Sequence, residues 1–335
     1  METVYILGID IAKKTFRAAL TIEGANFFEQ EVENNSKSIK AYLQGLRKKF
    51  GVSFSQLMVC MEHTGIYSYP LLEFLVKHHI KVCVEPALQI KQSQGMTRGK
   101  TDQVDARRIA QYAFKNRQGL KLWKAQRPLL QKLKALLTLR DRLVKTRVQL
   151  EVPIQEANEF IEESIRKGMI KNCKDTLKSL RKDILKIEGE IDSLIKEDQP
   201  LAQQVKWASS VPGVGKFTAL NVIISSGEFD RISDVKKFAC YVGVAPFEHS
   251  SGSSIRGKTR VSKMANMTLK KLLHLAAMSA IQCCEELKLF YQRKVAEGKN
   301  KMSVINAVRN KLISRIFACI KNKRLYQKDF KHVLA

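Results

Sequence analysis

Acidic side chains are the scarce kind in this sequence: 32 Asp and Glu stand against 59 Lys and Arg in 335 residues, a formal net charge of +27. A basic excess of that size points to a polyanionic partner, because each phosphate neutralised by a cationic side chain releases condensed counterions. Long apolar runs are lacking as well. None approaches the roughly 18 residues that a membrane span requires, and the N-terminus lacks a basic-then-apolar secretory pattern. Seven cysteines occur without metal-ligand spacing, and the adjacent Cys283 and Cys284 fall within a helical pattern. That usage fits structural thiols in a reducing cytoplasm and argues against a zinc site. His78 and His79 have no recurring partner and read as surface residues. No GxSxG elbow is present, which removes a Ser/His/Asp hydrolase of that type, and no solenoid period recurs.

The charge that is present is uneven. Residues 1–110 hold 15 basic and 11 acidic side chains, whereas the remainder holds 44 and 21. The first stretch also has the clearest α/β pattern. Val4 to Ile9 is a β-branched apolar run ending at Asp10, followed by alternating segments at Phe16–Ile22 and Phe27–Val32. Ile39, Leu43 and Leu46 recur at helical spacing; Leu57 to Met61 forms an apolar run ending at Glu62, and Lys81 to Val84 forms another closed by Glu85-Pro86. This order predicts a mixed sheet flanked by helices. From Ala125 to Asp198 leucines and isoleucines recur every three or four residues among dense charge, with a break near Pro153, predicting two long helices as an antiparallel pair or coiled coil. The third region reads as mostly helical, interrupted by a Gly/Ser-rich loop from His249 to Lys258, and the last 50 residues as basic amphipathic helix. The expected domains are 1–120, 121–200 and 201–335.

Four acids stand out because they sit at element ends. Asp10 and Glu62 end the first and fourth strands, and Asp102 and Asp105, in KTDQVDARRIAQYA, open a helix. Asp102 alone could be a helix cap, and Asp105 would favour the positive end of the dipole. Four carboxylates converging on one sheet edge would instead repel one another unless cations held them. Oxygen-only ligands favour Mg²⁺ or Mn²⁺, and two such ions about 4 Å apart clamp attacking and leaving oxygens in phosphoryl transfer. GID followed by a strand also opens the phosphate loop of actin-like ATPases, but Ile11, Ala12, Lys13 and Lys14 supply no glycine-rich turn. VPGVGK, with Gly213, Gly215 and Lys216, has the form of a helix-hairpin-helix turn whose amides face a phosphate, or of an ordinary interhelical turn. EHSSGSSIRGKTR offers Ser250, Ser251, Ser253 and Ser254 beside His249, Arg256, Lys258 and Arg260, so a serine nucleophile with nearby cations is available.

Taken together, GIDIAKKT, MEHTG, KTDQVDARRIA, VPGVGKFTA, CYVGVAPFEHSSGSS and KMANMTLKKLLHLAA resemble the DEDD-type insertion-sequence transposases, the Insertion Sequence 110 family, which includes Piv-type DNA invertases. The resemblance covers both ends of the chain; the KMANMTLKK stretch is the loosest match, and the middle matches only as a helical arm. It implies an α/β RuvC-like (RNase H-type) N-terminal domain, a helical coiled-coil arm and a mainly α C-terminal domain. It further implies that Asp10, Glu62, Asp102 and Asp105 are a catalytic, metal-binding tetrad, and that Ser251, before Gly252, joins covalently to DNA. Expected partners are double-stranded donor and target DNA, a noncoding bridge RNA and further copies of the chain, as a dimer or tetramer, in the bacterial cytoplasm and nucleoid. Gly213, Gly215, Lys216, Arg256, Lys258 and Arg260 are the expected nucleic-acid contacts. The competing readings are a Holliday-junction-type nuclease using water, a site-specific invertase, and a nucleic-acid-binding protein without catalysis.

Overall fold

The computed structural model describes residues 5–93, 102–157, 160–251, 255–262 and 264–328. The chain divides into two compact units, Met1–Ala125 and Gln126–Ala335.

The first unit is a five-stranded sheet, β1 (Tyr5–Ile11), β2 (Thr15–Thr21), β3 (Phe28–Glu33), β4 (Leu57–Glu62) and β5 (Lys81–Glu85), in the order β3-β2-β1-β4-β5. β1, β2 and β3 are antiparallel neighbours, as their short connections allow, whereas β4 and β5 run parallel to β1. The parallel pairings are reached through helices: α1 (Ser36–Phe50) links β3 to β4, and α2 (Tyr69–Lys77) links β4 to β5. Strand alternation sorts the side chains onto two faces. Leu7, Ile9, Val59 and Met61 pack with Leu43 of α1 and Leu75 of α2, while Ile6, Cys60 and Cys83 face Ile109 and Tyr112 of α4 (Asp102–Asn116). A short helix, α3 (Ala87–Gln92), precedes α4.

The second face is set by Gly8. A Cβ at Gly8 would collide with the backbone of Ala106 and Ala110, so the absent side chain is what lets α4 lie directly on β1. The facing surface of α4 is correspondingly small, with Ala106 and Ala110 buried.

The second unit begins with two long helices, α5 (Pro128–Glu156) and α6 (Glu163–Glu197). They pack antiparallel, with Arg140 bonding Glu188 at 2.6 Å and Lys132 bonding Glu190 at 3.1 Å. Their apolar contact lies near one end, where Leu133, Leu137, Ile187 and Ile191 are buried with Leu220 of α8 (Lys216–Ser226). Arg127 anchors that end, donating to Asp198 at 2.8 Å and also to Glu228, and its hydrogen bond holds the Asp198 carboxyl below the usual carboxylate range. Asp198 caps α7 (Gln199–Ser209) through its side chain to Leu201 N.

The rest of the unit is α9 (Val235–Val242), β6 (Pro246–Ser251), β7 (Ile255–Val261), α10 (Met267–Cys283), α11 (Glu285–Ala296) and α12 (Lys301–Lys321). α12 is buried along most of its length, with Val308, Leu312 and Ile316 in one core with Phe238 and Leu273. Two expectations change here. The Gly/Ser-rich loop is an antiparallel hairpin with Ser250 paired to Arg256, because Phe247, Ile255 and Val261 alternate with polar residues at strand spacing. The basic C-terminal segment is two helices, not one: Glu297 to Asn300 interrupts it, and the Asn300 side chain accepts from Met302 N at 2.9 Å to start α12 afresh. Among the described residues no helix is long and apolar enough to cross a membrane.

Gly8→Ala should cost about 2 kcal/mol, within the range for overpacking a close contact. Denaturant unfolding followed on a first-unit probe, the fluorescence of Trp123, would measure it; unchanged stability would show that α4 can retreat from β1 freely.

Candidate functional site

Asp10 and Glu62 lie at the C-terminal ends of β1 and β4, which are parallel neighbours in register through Ile9 and Met61. Both continue the parity of residues that face α4: Asp10 follows Ile6 and Gly8, and Glu62 follows Cys60. Asp105 is in the first turn of α4, one residue before Ala106, which packs at Gly8. Asp102 is the first residue of α4; its side chain lies outside the described residues. The same end of one sheet face thus collects Asp10, Glu62 and the N-terminal turn of α4. Among the described residues no three His, Cys, Asp or Glu side chains are close enough together to hold a metal ion.

The two arginines that follow the aspartates have definite partners. Arg107 pairs with Glu29 of β3, and Arg108 bonds Asp105 at 3.1 Å from one turn on. Arg107 therefore ties α4 across the sheet, and Arg108 places a cation beside one acid of the group.

A fifth acid went unnoticed in the sequence. Glu85 ends β5 opposite Glu62, is buried, and lies with its carboxylate 3.5 Å from the Tyr112 hydroxyl of α4. Gln89 Nε2 donates to the same hydroxyl at 2.9 Å. Burial raises the Glu85 carboxyl above its ordinary value, opposed by the Tyr112 bond and by the charge of Lys121. Burial also raises the Cys83 thiol to about 11, which makes it a poor nucleophile. The signal was present, since KVCVE ends at an acid as GID and VCME do, but Pro86 directly after it made Glu85 read as a strand terminator.

In the second unit, Ser250 and Ser251 are the last residues of β6, and Arg256, Lys258 and Arg260 alternate along β7. The side chains of His249, Ser250, Ser251, Arg256 and Lys258, and residues 252–254 with Ser253 and Ser254, lie outside the described residues. Arg260 is exposed, pairs across the hairpin with Phe247, and lines a cleft of about 760 Å³ with Cys240, Glu248 and Met264.

The VPGVGK turn joins α7 to α8. Gly213 has φ +80°, and a Cβ there would meet the backbone of Ala276 and Ala280 in α10, so packing alone requires this glycine. Gly215 precedes α8 as its N-cap and has open space around it. Lys216 Nζ bonds Asp192 of α6 at 2.6 Å, so its charge is already partly met within the unit.

Two family models match this chain. One, described as a transposase and covering the DEDD domain of IS110 elements, matches residues 7–157; the other, the IS116/IS110/IS902 transposase family, matches residues 206–292. Together they span more than half of the chain. Relatives include a pilin gene-inverting protein of Moraxella bovis, 28% identical over 98% of this chain and 99% of the relative, and its counterpart in Moraxella lacunata with the same identity and coverage. A transposase for the insertion element IS1111A of Coxiella burnetii is 25% identical over 68% of each chain. A DEDD-domain sheet with acids at the ends of its parallel strands defines a DNA recombinase of the transposase class, with the RuvC-like fold that this domain implies. The chain belongs to the IS110 family of transposases. Enzymes of the DEDD class are typically metal-dependent.

The raised Glu85 carboxyl has a consequence for stability. The native state keeps this proton to a higher pH than the unfolded chain does, so its contribution is present at low pH and is lost as pH rises from the unfolded carboxylate value through the folded one. In metal-free buffer, Glu85→Gln should therefore gain stability relative to wild type as pH rises from about 4 to 7. Denaturation midpoints across that range check it, and parallel curves would refute it.

Proposed function

We propose that this protein is an RNA-guided DNA recombinase that cuts and rejoins strands through Ser251, with Asp10, Glu62, Asp102 and Asp105 holding Mg²⁺. The observation that carries the reading is the collection of Asp10, Glu62 and the start of α4 at one end of one sheet face. The donor set is entirely carboxylate oxygen, which fits Mg²⁺ or Mn²⁺ and not zinc. When bound, such a cation neutralises charge growing on the reacting phosphate.

The remaining roles belong to the chain's own groups. Ser251 Oγ forms a bond to phosphorus as the bond to a deoxyribose oxygen breaks; that oxygen leaves as a hydroxyl, taking up a proton equivalent to the one the serine loses. Attack by a strand hydroxyl on the serine phosphodiester then restores Oγ–H and a continuous strand. Arg256, Lys258 and Arg260 on β7 supply positive charge next to the serine-bearing strand. The net charge of +27 suits both a guide RNA and DNA, since neither is read by charge alone. An inverting rather than transposing outcome is the second reading, favoured by full-length similarity to the pilin gene-inverting protein.

Wild type, Ser250→Ala and Ser251→Ala, incubated with substrate DNA, Mg²⁺ and RNA and then denatured, give the direct test. A covalent protein–DNA adduct lost only in Ser251→Ala is the expected result. Strand cleavage without any adduct in wild type would instead assign the chemistry to water. Asp102→Ala should abolish strand joining while RNA affinity stays near wild type; a mere helix cap would cost about 1 kcal/mol of stability and leave the chemistry in place.

The long helices supply an oligomerisation surface in this reading. Away from their buried end, Val148, Val152, Ile161 and Ile165 are exposed, and Phe160 is 84% exposed. Such a patch at the far end of a helix pair suits a second copy of the chain. Replacing Phe160 and Ile165 with Glu should lower the solution mass measured by light scattering; an unchanged mass would remove the arm from the assembly.

A further inference from the structure

Two turns flank the ends of β1 and β4, and their outward side chains are of a kind the chemistry does not use. The first, between β1 and β2, presents Lys13 and Lys14 to solvent. The second follows Glu62 directly and presents Ile66, 69% exposed, Tyr67, 39% exposed, and Tyr69, 44% exposed. Asn34 holds the two turns together: its Nδ2 donates to Ala12 O at 3.2 Å and to Tyr67 O at 2.8 Å, while its backbone N donates to Lys14 O at 2.8 Å. Within the second turn, Ser68 Oγ donates to Gly65 O at 2.8 Å. The aromatic surface is therefore mounted on a braced turn.

Two polar atoms at this place are shielded from solvent and have no hydrogen-bond partner among the described residues: Asn34 Oδ1 and Thr64 Oγ1. Exposed Tyr67 and Tyr69 beside the exposed Lys13 and Lys14 match the chemistry of a nucleic-acid strand whose bases are free to stack.

We infer that the Lys13–Lys14 turn and the Ile66–Tyr69 turn form a base-stacking platform for an unpaired stretch of the DNA strand being cut, with Tyr67 under a base and the two lysines on its phosphates. This rests on the recombinase reading above. DNA is preferred to the guide because the platform adjoins the strand ends that carry Asp10 and Glu62, where the reacting strand would lie. An unstacked base there lets the backbone bend toward the acids without breaking pairing along a whole duplex.

The test uses the full-length protein and a single-stranded DNA oligonucleotide containing 2-aminopurine, whose fluorescence is quenched by stacking, with an RNA strand and a DNA duplex of the same sequence alongside. Tyr67→Ala should lose about ten-fold in single-strand affinity together with the protein-dependent quench, while Tyr67→Phe keeps both and duplex binding is little changed. Lys13→Ala with Lys14→Ala should lower the slope of log affinity against log salt by about 1.4, the release expected for two single-strand phosphates. Equal quench and affinity in wild type and Tyr67→Ala overturn the platform, even if the same preparation joins strands. Loss confined to the RNA strand overturns its assignment to DNA. Loss in Tyr67→Ala and recovery in Tyr67→Phe support it, even if wild type joins no strands, an outcome that would count against the recombinase reading alone.

Discussion

The close approach of α4 to β1 at Gly8 is the constraint on which the first unit depends. A helix packed on a sheet through ordinary side chains stands about 10 Å away, and acids in its first turn would be held at that distance from acids on the strands. Removing one Cβ, and facing the gap with Ala106 and Ala110, brings the helix backbone onto the strand. Position 8 is two residues before Asp10, and Ala106 is one residue after Asp105, so the tightest packing contact adjoins the acids on both elements. Any side chain at position 8 that pushes α4 outward therefore also shifts the helix turn that carries Asp105. Arg107, paired with Glu29, and Tyr112, beside Glu85, restrain the same helix at points further along and across the sheet.

The second unit is organised by a different device. Its two long helices share few buried residues toward their far ends, yet at the near end Leu133, Leu137 and Ile191 join a core with α8. Arg127 closes that end by bonding acids from two other segments, Asp198 and Glu228. Exposed ion pairs contribute little individually. Here one guanidinium meets two carboxylates and Asp198 also caps α7, so the group fixes directions more than it adds stability. A long helix pair fixed at one end leaves its other end, with Val148, Val152 and Phe160 exposed, outside that core.

Much of the first unit was legible because β1, β4 and β5 are short apolar runs with an acid at or near their ends, a pattern that period and punctuation both register. The mixed sheet flanked by helices was expected, whereas its strand order, with β1 at the centre, comes from the structure. What was not legible is instructive. Glu85 was hidden by Pro86, since a proline after a strand accounts for the strand's end without needing the acid to do anything. The β6–β7 hairpin was hidden by serine and glycine, which are poor strand formers; only cross-strand pairing, invisible to a single stretch of sequence, stabilises them there. At Gly213 the sequence left both a phosphate-facing turn and an ordinary interhelical turn open, and the close approach of α10 on its Cβ side had no signature in a single stretch.

The uneven charge of the chain now has a structural counterpart. The acids at the end of the sheet belong to the part of the sequence nearest to charge balance, whereas most of the +27 lies beyond residue 110. A cation site surrounded by unpaired lysines and arginines would have its carboxylates neutralised by side chains, and an ion would then have to displace them. In the first unit Arg107 and Arg17 are instead committed to Glu29 and Glu31 on β3, at the other edge of the sheet from β4 and β5. Nearer the acids, Arg108 is bonded to Asp105 itself, and Lys13 and Lys14 are exposed in the turn after β1. The Arg108 bond reaches one oxygen, Asp105 Oδ1, at 3.1 Å, and so orients the carboxylate at the start of α4. In the proposed reading, holding most of the basic excess beyond residue 110 lets one chain attract polyanions over a wide surface while the acids of the first unit stay grouped at one sheet end.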